Sequence, residues 1–456
     1  MNAYLPYLSV DLPEDIAKLK GCGQFNRAIR AIDKRLKRDL PEALRRRLEL
    51  EKEILALIPA NYTHSFDETL ALMSQTFKDF DASEMEELWE LDAADWYFID
   101  GELRFRADIA ANLAKVRPAY AARLKNPEEL KDREGNIALL DETIAKMKEK
   151  GSLAYRIRIR STLTIASEAV RPGETVKVHL PIPIEYAQVK NFRLISVLPE
   201  PKLVAAPDYP QRTVFFEEPT REGQTFSVEY EYINSMTYVD PKPELVAPSQ
   251  PAFHTEEQHP HIVFSPYIRY LTEELTGGEK NPLIRARRIY DFITTNVMYS
   301  LVRPYFTIEN ISAYALTSLK GDCGVQALAF ITLCRCAGIP ARWQAGLYSK
   351  PGSAGNHDWA QFYIAPYGWL FADCSFGGSA WRWNATERWN FYFGNLDPFR
   401  MPSNSEYQFE FNPGKSFLRI DPYDNQVGEA EYEDRGLKSG EFNTVHEMVD
   451  ITEVDA

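Results

Sequence analysis

Lys320-Gly321-Asp322-Cys323-Gly324-Val325-Gln326-Ala327-Leu328 sets a cysteine between a Gly-Asp turn and a run of mostly good helix formers. The thiol therefore falls at or near a helix N-terminus. The positive end of the helix dipole favours thiolate over thiol there, and unpaired backbone N–H groups at the same end can hold an oxyanion. The helix runs to Gly338, with Pro340 just beyond as a stop signal. Cys334 and Cys336 fall near its C-terminal end, which disfavours a thiolate, and read as packing residues; Cys22 stands alone.

Upstream, Asn281-Pro282 reads as an N-cap with proline in the first turn, after which Ala286, Ile289, Ile293 and Val297 line one helical face. Downstream come short strands at about 341–347, 357–365 and 369–374. Helix, helix, then antiparallel strands is an α+β order.

A nucleophilic sulfur needs a base, and the base needs an orienting group. His357 opens the second strand, and Ala365-Pro366-Tyr367-Gly368 turns it into Trp369-Leu370-Phe371-Ala372-Asp373. A three-residue loop pairing Ala365 with Trp369 puts His357, Trp359, Phe371 and Asp373 on one face and Asp358 on the other. In that register Asp373 lies opposite Gln361, about 13 Å along the strand from His357, so a bulge, twist or different turn must close the gap. Taken singly, each residue has a plain alternative: a buried cysteine, a surface histidine, a strand-ending aspartate.

Together, Gly321-Asp322-Cys323-Gly324, Gly338-Ile339-Pro340-Ala341-Arg342, His357-Asp358-Trp359 and Gly368-Trp369-Leu370-Phe371-Ala372-Asp373 resemble the transglutaminase-like superfamily core, over about 280–380. The resemblance implies a papain-like α+β fold and a triad: Cys323 the nucleophile, His357 the base, Asp373 its orienter. Asn296-Val297-Met298-Tyr299 resembles the family segment ahead of the nucleophile and makes Tyr299 an oxyanion candidate. Asp358 departs from the family, which often has a small residue there, and bears on substrate contacts rather than the triad. Six of the eight tryptophans lie within 343–389. Trp343 and Trp369 read as packing, whereas Trp359, Trp381 and Trp383 are candidates for the substrate cleft.

Working outward, the chain divides into a helical N-terminal region (1–150), an antiparallel Ig-like β-sandwich (152–236), a Pro-rich linker (237–261), the transglutaminase-like domain (262–420) and an acidic tail (421–456), a multi-domain α+β protein. In the first region Trp89, Trp96 and Tyr97 are expected to anchor helix packing. In the sandwich, Tyr155, Ile157, Ile159, Leu163 and Ile165 alternate with Arg156, Arg158, Arg160 and Thr162, the pattern of a strand with one wet face; His179 is expected on the wet face of its own strand. His254, His259 and His261 lie in the linker with Glu256 and Glu257 but match no metal-ligand spacing, so neither metal nor cofactor is expected.

The chain has 456 residues, 45% hydrophobic and 26% charged, which excludes wholesale disorder. Residues 421–456 hold eleven acidic and two basic side chains, most of the net charge of −14, and read as a solvated end. A chain so acidic, without a basic stripe, is not expected to bind nucleic acid. No apolar run approaches the ~20 residues of a membrane span, so no membrane association is expected. MNAYLPYLSVDLPEDIAKLKGCG lacks a basic region followed by an apolar segment, and five cysteines is an odd number; no secretory signal and a reduced, cytoplasmic setting are the expectation. The functional expectation is a cysteine hydrolase acting on a peptide, protein or other amide through a thioester. The alternatives are a transamidase forming isopeptide bonds and a non-catalytic binding scaffold. The oligomeric state is left open.

Overall fold

The computed structural model describes residues 4–126 and 128–455, the side chains of 128–134 excepted. The last large domain is built on a five-stranded antiparallel sheet. Its order is Phe393–Gly394, Gly368–Ala372, Ser353–Ile364, Ala341–Lys350, Arg400–Asn404. The helix Cys323–Cys336 packs on this sheet, with Phe330 edge-on to Phe362 at 5.6 Å between ring centroids. Leu328, Phe330, Ile331 and Leu333 of that helix are fully buried, and each such side chain contributes roughly 1.5–3 kcal/mol of transfer free energy. Asn281 caps the helix Pro282–Asn296, as its sequence predicts, by accepting from the Leu283 and Ile284 N–H groups.

The N-terminal region is not one unit. The helices Glu14–Gly21, Phe25–Leu36 and Glu42–Asn61 bury Ile16, Ile32, Ile54 and Ile58 in the same hydrophobic core as the helix Cys323–Cys336. Residues from Met73 to Leu124 form a separate small core. That subdomain contains a β-hairpin, Trp96–Ile99 with Glu102–Phe105, inside a region expected to be helical. Its aromatic and β-branched run Trp96-Tyr97-Phe98-Ile99, closed by Asp100-Gly101, is a strand-and-turn signal of its own.

The sandwich consists of two four-stranded sheets with Ile157, Ile159, Leu163, Val178, Phe216 and Tyr230 between them, in line with the alternation of the first strand. His179 departs from expectation. It is buried, bonded to Thr213 Oγ1 at 2.9 Å, and flanked by the Phe215 and Phe411 rings. The chain after residue 405 covers the face that strand periodicity alone marks as wet.

The acidic segment also differs from a solvated end. Glu429–Glu431 pairs with the sandwich strand Thr175–Pro181, and Phe442–Val454 pairs antiparallel with Ser152–Ile165. The register sets Glu447 opposite Arg160 and Asp450 opposite Arg158, and the Glu447 carboxylate accepts from Arg160 at 2.9 Å. The segment is an ordered strand, and Glu447, though exposed, pairs with the basic face of the first strand.

The linker runs along the core and joins it: the Ala341 N–H donates to the His254 carbonyl, and the Ala247 N–H to that of Ala365. His261 is buried, with Nδ1 accepting from the Ile311 N–H and Nε2 2.9 Å from the Tyr423 hydroxyl. His254 lies against Phe253 and Trp369, and His259 faces Glu257 at 3.8 Å. None of the described helices is long and apolar enough to cross a membrane.

Candidate active site

Asp322 is the N-cap of the helix that begins at Cys323, its carboxylate accepting from the Val325 N–H at 3.2 Å and from the Tyr305 hydroxyl at 2.5 Å. Burial pushes Asp322 up to about 6 despite those bonds. Gly324 is required for space: a Cβ there would stand 2.4 Å from the Tyr305 hydroxyl and 2.8 Å from the Asp358 carboxylate. Ahead of the helix, the short parallel pairing of Met298–Tyr299 with Lys320–Gly321 sets Tyr299 beside the turn that precedes Cys323.

His357 and Asp373 meet, with Nε2 donating to Oδ2 at 2.7 Å. The register that brings them together is not the one expected. Tyr363, not Ala365, is opposite Trp369, so continuing the ladder sets Asp373 level with Trp359. The remaining offset from His357 is two residues, about 7 Å, which an imidazole and a carboxylate span on the diagonal. Asp373 is then fixed from three further sides. It caps the helix Cys374–Arg382, accepting from the Phe376 N–H at 2.9 Å and the Ser375 hydroxyl at 3.0 Å, and Arg400 lies 3.1 Å from Oδ2. Burial alone would raise its pKa, but His357 and Arg400 outweigh it and hold Asp373 at about 2. With Nε2–H directed at a carboxylate, the neutral imidazole keeps its lone pair on Nδ1.

The charge state of the sulfur reverses the sequence expectation. Burial, then the Asp358 and Asp322 carboxylates, push the Cys323 thiol well above its ordinary value, and Lys115 opposes them only in part. Burial also lowers His357 against the pull of Asp373. Both shifts favour the uncharged forms. The helix dipole that favours thiolate is offset by the acid that caps the same helix. The Sγ instead donates to Asp358 Oδ2 at 3.3 Å.

Asp358, the next residue along the strand from His357, is thus the side chain that the thiol reaches. Its second oxygen accepts from the Gln426 amide, which also reaches the His357 carbonyl at 3.2 Å. Asp358 and Asp424 face each other in the buried interior, and burial holds both carboxyls above the ordinary range. Arg400, Tyr305, Asp424 and Gln426 carry no local motif that marks them in the sequence; each reaches the site through a distant contact.

Of the cleft candidates, Trp383 lines a cavity of about 510 Å³ bounded also by His357 and Tyr299. Trp359 does not line it: it is buried, with Nε1 donating to Gln344 at 2.6 Å. Trp381 is 45% exposed and packs on Trp389 at 4.8 Å. The Tyr299 hydroxyl lies 3.2 Å from Lys115 Nζ and stays protonated, because burial and the surrounding acids raise it.

Comparison with known proteins matches residues 269–374 to the transglutaminase-like superfamily. An uncharacterized protein of Haemophilus influenzae is 30% identical over 139 residues, 25% of this chain and 37% of that protein's length. Among solved structures, a presumptive cysteine protease from Cytophaga hutchinsonii covers 66% of this chain and 90% of its own, at 14% identity and TM-score 0.38. The periplasmic domain of TgpA from Pseudomonas aeruginosa covers 56% and 96%, at 15% identity and TM-score 0.28.

Proposed function

Residues 269–374 carry a transglutaminase-like core, and from this we propose that the protein is a thiol-dependent acyl-transfer enzyme, a cysteine hydrolase that cleaves peptide or other amide bonds through a thioester. The observation that carries the reading is the 2.7 Å His357–Asp373 couple held by Arg400 on the strands that flank the Cys323 helix.

The resting thiol and imidazole are neutral, so proton transfer accompanies attack. Cys323 Sγ turns from Asp358 and bonds to the carbonyl carbon while its proton passes to His357 Nδ1. Asp373 stabilises the imidazolium that forms. The oxyanion is met by first-turn N–H groups and the Tyr299 hydroxyl. Collapse breaks the C–N bond as the imidazolium protonates the leaving amine. Water then gives a proton to His357, attacks the thioester, and the thiol leaves with that proton.

The test is hydrolysis of a mixed peptide pool read by mass spectrometry. Cleavage is expected from the native chain and lost in Cys323→Ala and His357→Ala. Cleavage that survives Cys323→Ala, or neither cleavage nor amine incorporation by the native chain, overturns the reading; the second outcome leaves a binding scaffold. Incorporation of an added amine in place of water assigns the transamidase instead.

A further inference from the structure

The cavity beside His357 is closed on one side by the N-terminal region. Lys115 comes from the helix Ile109–Val116, and Leu124, Ile137 and Leu140 form an apolar wall. Three contacts fix this roof to the core. The Leu301 N–H donates to Asn112 Oδ1 at 3.0 Å, the Tyr348 hydroxyl to Asn136 Oδ1 at 3.0 Å, and Arg388 pairs with Asp141 at 2.5 Å. At about 510 Å³ the space is that of a small-molecule site.

Lys115 Nζ lies 3.2 Å from the Tyr299 hydroxyl and 4.5 Å from its ring centroid. Among the described residues it makes no ion pair, whereas Arg388 on the same cavity is already paired with Asp141. Tyr299 stands in register with Gly321, two residues before Cys323. The ammonium is thus one side chain removed from the nucleophile turn. The net charge of −14 repels anions at long range, so an anionic substrate needs a local cation of this kind.

Resting on the enzymatic reading above, we propose that the N-terminal helices complete the substrate site, which takes a short acyl-amide, apolar along the Leu124–Ile137–Leu140 wall and bearing a free carboxylate held by Lys115. The cation also favours ionisation of the sulfur, so an effect on carboxylate recognition must be separated from one on thiol reactivity.

Paired alkylation separates them. Iodoacetate and iodoacetamide both alkylate Cys323 with loss of iodide, and only iodoacetate carries a carboxylate. Rates are taken on the full chain at pH 8 by peptide mass spectrometry. Lys115→Met is expected to lower the iodoacetate-to-iodoacetamide rate ratio by about fivefold to tenfold, and Lys115→Arg to restore most of it. An unchanged ratio in Lys115→Met, with Cys323 reactive toward both reagents, overturns the carboxylate proposal and leaves the enzyme reading standing. Absence of any peptide cleavage or amine incorporation by the native chain overturns the enzyme reading and this proposal with it.

Discussion

Arg400 and His357 share one oxygen of Asp373: Nε2 lies 2.7 Å from Oδ2 and the guanidinium 3.1 Å from it. Arg400 is fully buried, also pairs with Asp397 at 3.0 Å, and lies 4.0 Å from the centroid of the Phe376 ring. Arg400→Met leaves Asp397 without its cation and removes part of what keeps Asp373 ionised. Unfolding free energy in urea is expected to fall by about 3–5 kcal/mol. Arg400→Met with Asp397→Leu is expected to recover part of that loss, because the stranded charge goes with it.

After burial, Asp358 is the largest influence holding the sulfur in its protonated form. Asp358→Asn keeps the side-chain size and a partner for Gln426, and removes the carboxylate nearest the thiol. The Cys323 pKa is expected to drop, and alkylation at pH 7 to speed up about tenfold. An unchanged rate would show that burial alone suppresses the thiolate.

Gly324 has no room for a methyl group. In Gly324→Ala the new Cβ meets the Tyr305 hydroxyl and Asp358, both of which hold the start of the helix. Stability is expected to fall by about 1–3 kcal/mol. Peptide hydrolysis is expected to fall by roughly a hundredfold, because a displaced sulfur loses its alignment with the carbonyl.

His261 gives a pH signature away from the site. Burial holds it at about 3, so between that value and its ordinary pKa the unfolded chain binds a proton that the folded chain does not. Its contribution is present above the unfolded pKa and is lost as pH falls. His261→Gln lacks this dependence. The stability gap between native chain and variant, from urea midpoints, is expected to shrink by about 2–3 kcal/mol from pH 6.5 to 4.5.

The motifs of the core are legible because they are local: a cap, a thiol and a helix within nine residues, and a strand–turn–strand unit within twenty. What is not legible depends on long-range pairing. The hairpin register is off by two because the sequence of Ala365-Pro366-Tyr367-Gly368 does not say which residues lie inside the turn. Nothing in the sequence says that the thiol bonds to Asp358, the residue next to His357. The acidity of residues 421–456 suggests a solvated end, and only the pairing with Ser152–Ile165 shows a strand there. His179 is misplaced for the same reason, since its cover comes from Phe411, more than two hundred residues on.

The pairing of Phe442–Val454 with Ser152–Ile165 sets an order on biogenesis. The ribosome releases the nucleophile helix and its histidine strand well before residues 421–454. Until those arrive, the fourteen-residue strand Ser152–Ile165 is an uncovered sheet edge, the kind of template on which nascent chains aggregate, and the sulfur lacks the Asp424 and Gln426 side of its surroundings. A stalled or clipped product would therefore contain Cys323, His357 and Asp373 and still be both sticky and chemically unfinished.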